Sequence, residues 1–165
     1  LGENVGSAII SSGTVSAAFR GLGVQIAPRA IAISWCTPPG FYFKKHDETE
    51  SLEEFINLPG KMTKEVLRLA LKEKLWGAQF LNINLPKKPT KDIQFTQLHP
   101  QVRTCYPSLT LHADTSTFSY PIPDFDRNIA EGYYDAAVLD KGSISITPIT
   151  LDWTDHDLLK KMKKV

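Results

Sequence analysis

Cysteine is scarce in this chain: Cys36 and Cys105 stand 69 positions apart and no C-x-x-C pair occurs. That excludes a metal knuckle and a disulfide framework, and both residues read as reduced thiols. Long apolar runs are absent too, with no stretch of about 18 residues that could cross a bilayer. No signal-peptide pattern opens the sequence, so the expectation is a cytoplasmic protein with no membrane partner. Charge of one sign is missing: 19 Lys and Arg against 18 Asp and Glu leave +1, which gives no footprint for nucleic acid. The short lysine clusters at Lys72 and Lys74, Lys87 and Lys88, and Lys160 to Lys164 fall at predicted helix ends or in loops, where they answer helix dipoles. A Gly-rich consensus of the P-loop or dinucleotide type is missing, and so is G-x-S-x-G.

What is present is an ordinary globular balance, 42% hydrophobic and 22% charged over 165 residues, enough for one domain with a core. The opening stretch carries the most information. Gly2 and Gly6 permit a close-packed loop, and the run from Val15 has helical composition that stops at Gly21 or Gly23. Ser12-Gly13-Thr14 therefore sits where a helix begins. Unpaired N–H groups, the positive end of the dipole and two hydroxyls together make an anion site. The plainer alternative is an ordinary Ser or Thr cap.

Further along, Ala30 to Cys36 is a continuous apolar, β-branched run, the pattern of a strand buried on both faces of a parallel sheet. Thr37-Pro-Pro-Gly40 ends it. Glu48 to Asn57 suggests a short helix ending at Pro59-Gly60, and Met62 to Trp76 an amphipathic packing helix capped by Gly77. Gln79 to Leu85 returns to strand, so strand, helix and strand make a βαβ unit of a Rossmann-like sheet. From Ile93 to Leu98 the pattern alternates, and the segments Ser108–Leu111 and Thr117–Tyr120 flank a hairpin turn. Prolines at 107, 121 and 123 confine these strands to edges or to an arm. Val138-Leu139 and Ser143 to Ile149 read as a strand pair across Asp140-Lys141-Gly142, with Gly supplying a positive φ. Thr154 is expected to cap a last helix with Leu158, Leu159 and Met162 on one side.

Three segments, in order, resemble the SurE family of survival-protein nucleotidases. Gly2-x-Asn4-x-Gly6 followed by Ser12-Gly13-Thr14-Val15-x-Ala17-Ala18 is similar to its phosphate loop; Leu81-Asn-Ile-Asn-Leu-Pro86 is similar to its L-N-x-N-V-P strand. Asp135 followed by Gly142-Ser-Ile-Ser-Ile-Thr-Pro-Ile149 resembles its T-D…G-x-x-S-I-T-P-L segment. Here Ser7-Ala8 stands where many members have Asp-Asp, Ser11 where they have an aromatic, and Tyr134 where they have Thr.

The resemblance implies a three-layer α/β/α Rossmann-like sheet over residues 1–165. Residues 1–100 would form the Rossmann-like part, and 101–165 a protruding β-hairpin arm and C-terminal helix. It implies a metal-dependent 5′/3′-nucleotidase, acid-phosphatase-like, acting on nucleoside monophosphates or other phosphomonoesters. The phosphate contacts would be Asn4 through its amide, Ser12 and Thr14 through hydroxyls, and the N–H groups of Gly13 and Thr14. A divalent ion, Mg²⁺ or Mn²⁺, suits the family's carboxylate, hydroxyl and amide ligands. Those ligands include an Asp-Asp pair and an Asn that would directly precede Leu1, and no Asp-Asp occurs here. The chain thus reads as the C-terminal part of a longer protein, with its first strands missing, no catalytic or metal-ligating residue of its own and no turnover by itself. The hairpin, with an exchanged C-terminal segment, would make a homodimer or homotetramer; an edge hairpin packed on its own domain is the alternative. Two other readings compete: a non-catalytic phosphate-binding or oligomerisation fragment, and a serine hydrolase with Ser12 as nucleophile and His156, beside Asp155, as base. His46, His99 and His112 lack ligand spacing and read as surface or loop residues.

Overall fold

The computed structural model describes residues 2–38, 49–72, 77, 79–99, 110–119 and 133–163. A single turn of 3₁₀ helix, Gly6–Ser11, leads into α1 (Gly13–Gly23), and β1 (Ala30–Trp35) follows. Next come α2 (Glu53–Phe55), a π-helical turn (Ile56–Gly60), α3 (Lys61–Lys72) and β2 (Phe80–Leu85). The remaining elements are β3 (Ile93–Phe95), β4 (Thr110–His112), β5 (Thr117–Ser119), α4 (Asp135–Asp140), β6 (Ile144–Ile149) and α5 (His156–Met162).

The main sheet has the order β1-β2-β6-β3. β1 and β2 run parallel with α3 crossing between them, while β6 lies antiparallel to β2 and parallel to β3. This is the α/β Rossmann-like arrangement the sequence implied. Register decides what each face carries, because side chains alternate along a strand. One face shows Trp35, Leu81, Ile83, Leu85, Ile144 and Ile146, all buried against Met62, Val66 and Ala70 of α3. Each such aliphatic side chain contributes about 1.5–3 kcal/mol on burial, so this face is the main source of stability.

The opposite face is divided. Toward one end, Ala32, Phe80 and Ile149 pack with Val15 and Leu22 of α1 and with Ile9. Toward the carboxyl ends of β1 and β2 it turns polar: Ser34, Asn82, Asn84, Ser145, Thr147 and Thr96 are all buried. Thr96 Oγ1 lies 2.9 Å from Ser145 Oγ and 2.6 Å from Thr147 Oγ1, which satisfies the outer hydroxyls of this set.

Several local expectations are corrected. The helix before α3 does not end at Pro59-Gly60; the chain widens into a π turn that holds Pro59 and continues into α3. The wider ring accommodates a residue with no N–H. Val138-Leu139 are helical, not a strand, because Asp135 starts α4 by accepting the Ala136 N–H on its own side chain. Gly142 does have the positive φ, +85°, in the turn from α4 into β6. Thr154 does not cap α5; Asp155 does, its Oδ1 accepting the Leu158 N–H at 2.9 Å. β1 is less buried than a central strand, since it stands at the sheet edge among the described residues. The hairpin β4–β5 is present. Glu48, His46, Gly40, Trp76, Cys105, Ser108, Tyr120, Lys164 and the prolines at 107, 121 and 123 lie outside the described residues.

Candidate functional site

The site is built from the loop that enters α1. Ser12 is its N-cap: the backbone is extended (φ −77°, ψ 122°) and Oγ accepts the Val15 N–H at 3.2 Å. Its N–H is already bonded to Ile9 O at 3.1 Å. Ser12 is buried, and its hydroxyl keeps a proton to donate while it accepts from Val15. Gly13 and Thr14 are exposed. A Cβ added at Gly13 would meet nothing within 4 Å, so the side of α1 at its first residue is uncovered.

Asn4 is held differently. Its N–H donates to Asn84 Oδ1 at 2.7 Å, and its carbonyl accepts from Asn82 Nδ2 at 2.8 Å and Asn84 Nδ2 at 2.9 Å. Its own Nδ2 lies 2.5 Å from Ser34 Oγ. A hydroxyl can donate or accept, so Ser34 holds the Asn4 amide in either orientation. With Nδ2 on Ser34, the uncommitted end is Oδ1, which suits a cation or a hydroxyl. With the amide turned over, the free end is an NH₂, which suits phosphate.

Asp135 fixes the other side of the loop. It is wholly buried; Oδ2 accepts the Gly6 N–H at 2.7 Å, while Oδ1 accepts Ala136 N–H at 2.9 Å and His99 N–H at 3.2 Å. Gly6 adopts φ +53°, a left-handed conformation that turns its N–H toward the carboxylate. Burial raises the Asp135 pKa, and the three N–H donors pull the other way. His99 is a loop residue but a buried one, its ring 4.8 Å from that of Tyr134. His112 is exposed and faces Ser119 Oγ at 2.9 Å.

The competing chemistries fare unequally. His156 Nε2 lies 2.5 Å from Asp152 Oδ2, both exposed, and Asp155 is occupied as a cap. Ser12 serves its own helix, and no described contact joins it to His156. Cys36 has its thiol pushed up to about 12, by burial first and by Glu3 next, so it is not a nucleophile near neutrality. Among the described residues no three His, Cys, Asp or Glu side chains gather. The loop offers a divalent cation one amide oxygen and no carboxylate pair, so the residues present do not by themselves fit Mg²⁺ or Mn²⁺.

Four residues of this arrangement carried no role in the sequence analysis: Ser34, Asn82, Asn84 and Asp135. The signal for two of them was legible. Phe80-Leu-Asn-Ile-Asn-Leu85 places carboxamides two apart in an apolar strand, hence side by side on one face.

Comparison with known proteins gives the family and the fold. The family model described as "Survival protein SurE" matches residues 1–107. The chain is 28% identical over 168 residues to "5'-nucleotidase SurE" of Ehrlichia ruminantium (strain Welgevonden), covering 99% of this chain and 62% of that protein. It is 30% identical over 168 residues to the protein of the same name from Campylobacter curvus, covering 99% and 61%. The crystal structure of the SurE protein from Aquifex aeolicus superposes with a TM-score of 0.65 at 24% identity, over 99% of this chain and 61% of that one. The chain thus spans about three fifths of the length of the relatives it matches. With the family model matching residues 1–107, well over half of its length, this chain belongs to the SurE family.

Proposed function

We propose that this chain is part of a phosphomonoesterase acting on nucleoside monophosphates, and that it supplies the phosphate-binding loop. The observation that carries the reading is the amino end of α1, where Ser12 caps the helix and Gly13 and Thr14 are exposed. The N–H groups there, the hydroxyls of Ser12 and Thr14, and the Asn4 amide, turned so that its NH₂ is the free end, would cradle the phosphoryl oxygens as charge builds on them. The printed name of the relatives, 5'-nucleotidase, supports the nucleotide as substrate. Mg²⁺ or Mn²⁺ would be held by groups other than these residues and would supply the Lewis acid.

Residues 1–165 are taken as one SurE-like unit, with 1–100 as its Rossmann-like part and 101–165 as arm and terminal segment. Homodimer or homotetramer contacts would use the arm and α5. Leu111 and Phe118 on the hairpin and Leu158, Leu159 and Met162 on α5 are exposed, which supports that use. No helix among the described residues is long and apolar enough to cross a membrane.

Two measurements test the reading. Residues 1–165 alone, given p-nitrophenyl phosphate with Mg²⁺ or Mn²⁺, should show no turnover, and robust metal-dependent turnover would refute the division of the site. In the intact protein, Thr14→Val should weaken phosphate binding and turnover while metal affinity holds. Full turnover in that variant, with Ser12 labelled by an acyl-directed reagent, would favour the hydrolase reading instead.

A further inference from the structure

Asn84 is wholly buried, yet its carboxamide meets both backbone groups of a single loop residue. Oδ1 accepts the Asn4 N–H and Nδ2 donates to the Asn4 carbonyl, at 2.7 and 2.9 Å. That is the pairing a neighbouring strand would make, supplied here by a side chain. Asn82 places a second donor on the same carbonyl, and Ser34, the β1 partner of Asn84, meets the Asn4 amide. Three side chains on one sheet face thus grip one residue by its N–H, its C=O and its side chain.

This arrangement is expensive as architecture. Asn82 Oδ1 is buried with no hydrogen-bond partner, which costs about 1–3 kcal/mol. Aliphatic side chains fill the equivalent positions on the other face, and they would stabilise this one more. The polar set lies toward the carboxyl ends of the parallel strands, the end at which open α/β sheets bind ligands.

We propose that Ser34, Asn82 and Asn84 are positioning residues of the phosphate site, acting through Asn4; the inference rests on the function proposed above. They hold the Asn4 peptide, and with it the loop leading to α1, in one position before phosphate arrives, which reduces the ordering cost of binding.

The test is calorimetric titration of the intact protein with inorganic phosphate. Asn84→Asp keeps an acceptor for the Asn4 N–H but loses the donor to its carbonyl; the dissociation constant should rise about tenfold, or about 1.4 kcal/mol. Adding Asn4→Ala to that variant should cause little further loss, because both changes remove one coupled device. A purely structural role predicts multiplied losses that track the fall in Tm, and that result overturns the proposal. Equal binding by Asn84→Asp and wild type also overturns it while leaving the phosphate site standing. Failure of the wild-type protein to bind phosphate brings down the site reading and this proposal with it. If Asn84→Asp does not fold, Ser34→Ala decides: about threefold weaker binding is expected from loss of one hydrogen bond, and an unchanged constant overturns the proposal.

Discussion

The two faces of the sheet are made from the same four strands and do different work. The face under α3 is largely aliphatic packing, with Trp35 and Phe55 meeting edge to face at one end. The face under α1 begins apolar and becomes a field of Ser, Thr and Asn where the Asn4 loop crosses it. Apolar contacts are non-directional and additive with area, so they stabilise without specifying position to a fraction of an ångström. Hydrogen bonds between buried carboxamides and a backbone peptide are weaker in net stability but fix distance and direction. The molecule draws its stability from one face and places its site on the other.

That division can be broken from either side. The largest loss is expected on the apolar face: Ile83→Ala, at a fully buried position, should cost about 4 kcal/mol in urea unfolding. Phosphate affinity of the folded fraction should be unchanged, and a parallel loss of affinity would erase the contrast between faces.

Asp135→Ala comes next. It leaves the N–H groups of Gly6, His99 and Ala136 without their buried acceptor, at about 3 kcal/mol. Unlike Ile83→Ala, it should also loosen the loop, seen as faster amide exchange at Gly6. The sign of its pH dependence follows from the raised pKa. The proton-linked part of the Asp135 contribution, separate from its three hydrogen bonds, is complete below the ordinary value of 3.8 and is lost as pH rises through the raised one, so Asp135→Asn should flatten that part of the stability profile.

Ser12→Ala sharpens the comparison at the loop itself. Loss of the cap to Val15 should cost about 1 kcal/mol. A drop in phosphate affinity beyond what loss of that cap explains would show that the hydroxyl serves ligand as well as helix.

The smallest effect belongs to α5, away from both faces. The His156 hydrogen bond holds the exposed Asp152 carboxyl at about 2. That contribution is present above 3.8 and is lost as pH falls toward 2, and His156→Ala should remove it, read as a local change in α5 amide shifts with the global Tm nearly constant.

Much of this was legible in residue order. The apolar run of β1, the amphipathic period of α3 and the strand at Phe80–Leu85 fixed a βαβ unit before any coordinate. Ser12-Gly13-Thr14 marked the start of α1, and the glycine at position 142 marked a turn. Local propensity misled where distant groups intervened. Val138-Leu139 have strand composition, but Asp135, bonded to Gly6 129 positions away, sets the chain into a helical turn first. Pro59 looked like a stop signal, and the π turn absorbed it.

By itself, then, the order of residues determined which segments bury an apolar face, where α1 begins and which family the loop resembles, because those depend on neighbours within a few positions. Only the folded chain decided that Asn82 and Asn84, about 80 positions from Asn4, would hold that residue by its own backbone, and that Asp135 would secure Gly6. Local spacing put Asn82 and Asn84 on one face, but what they would hold follows from strand register and loop path, which are set by the whole sheet at once.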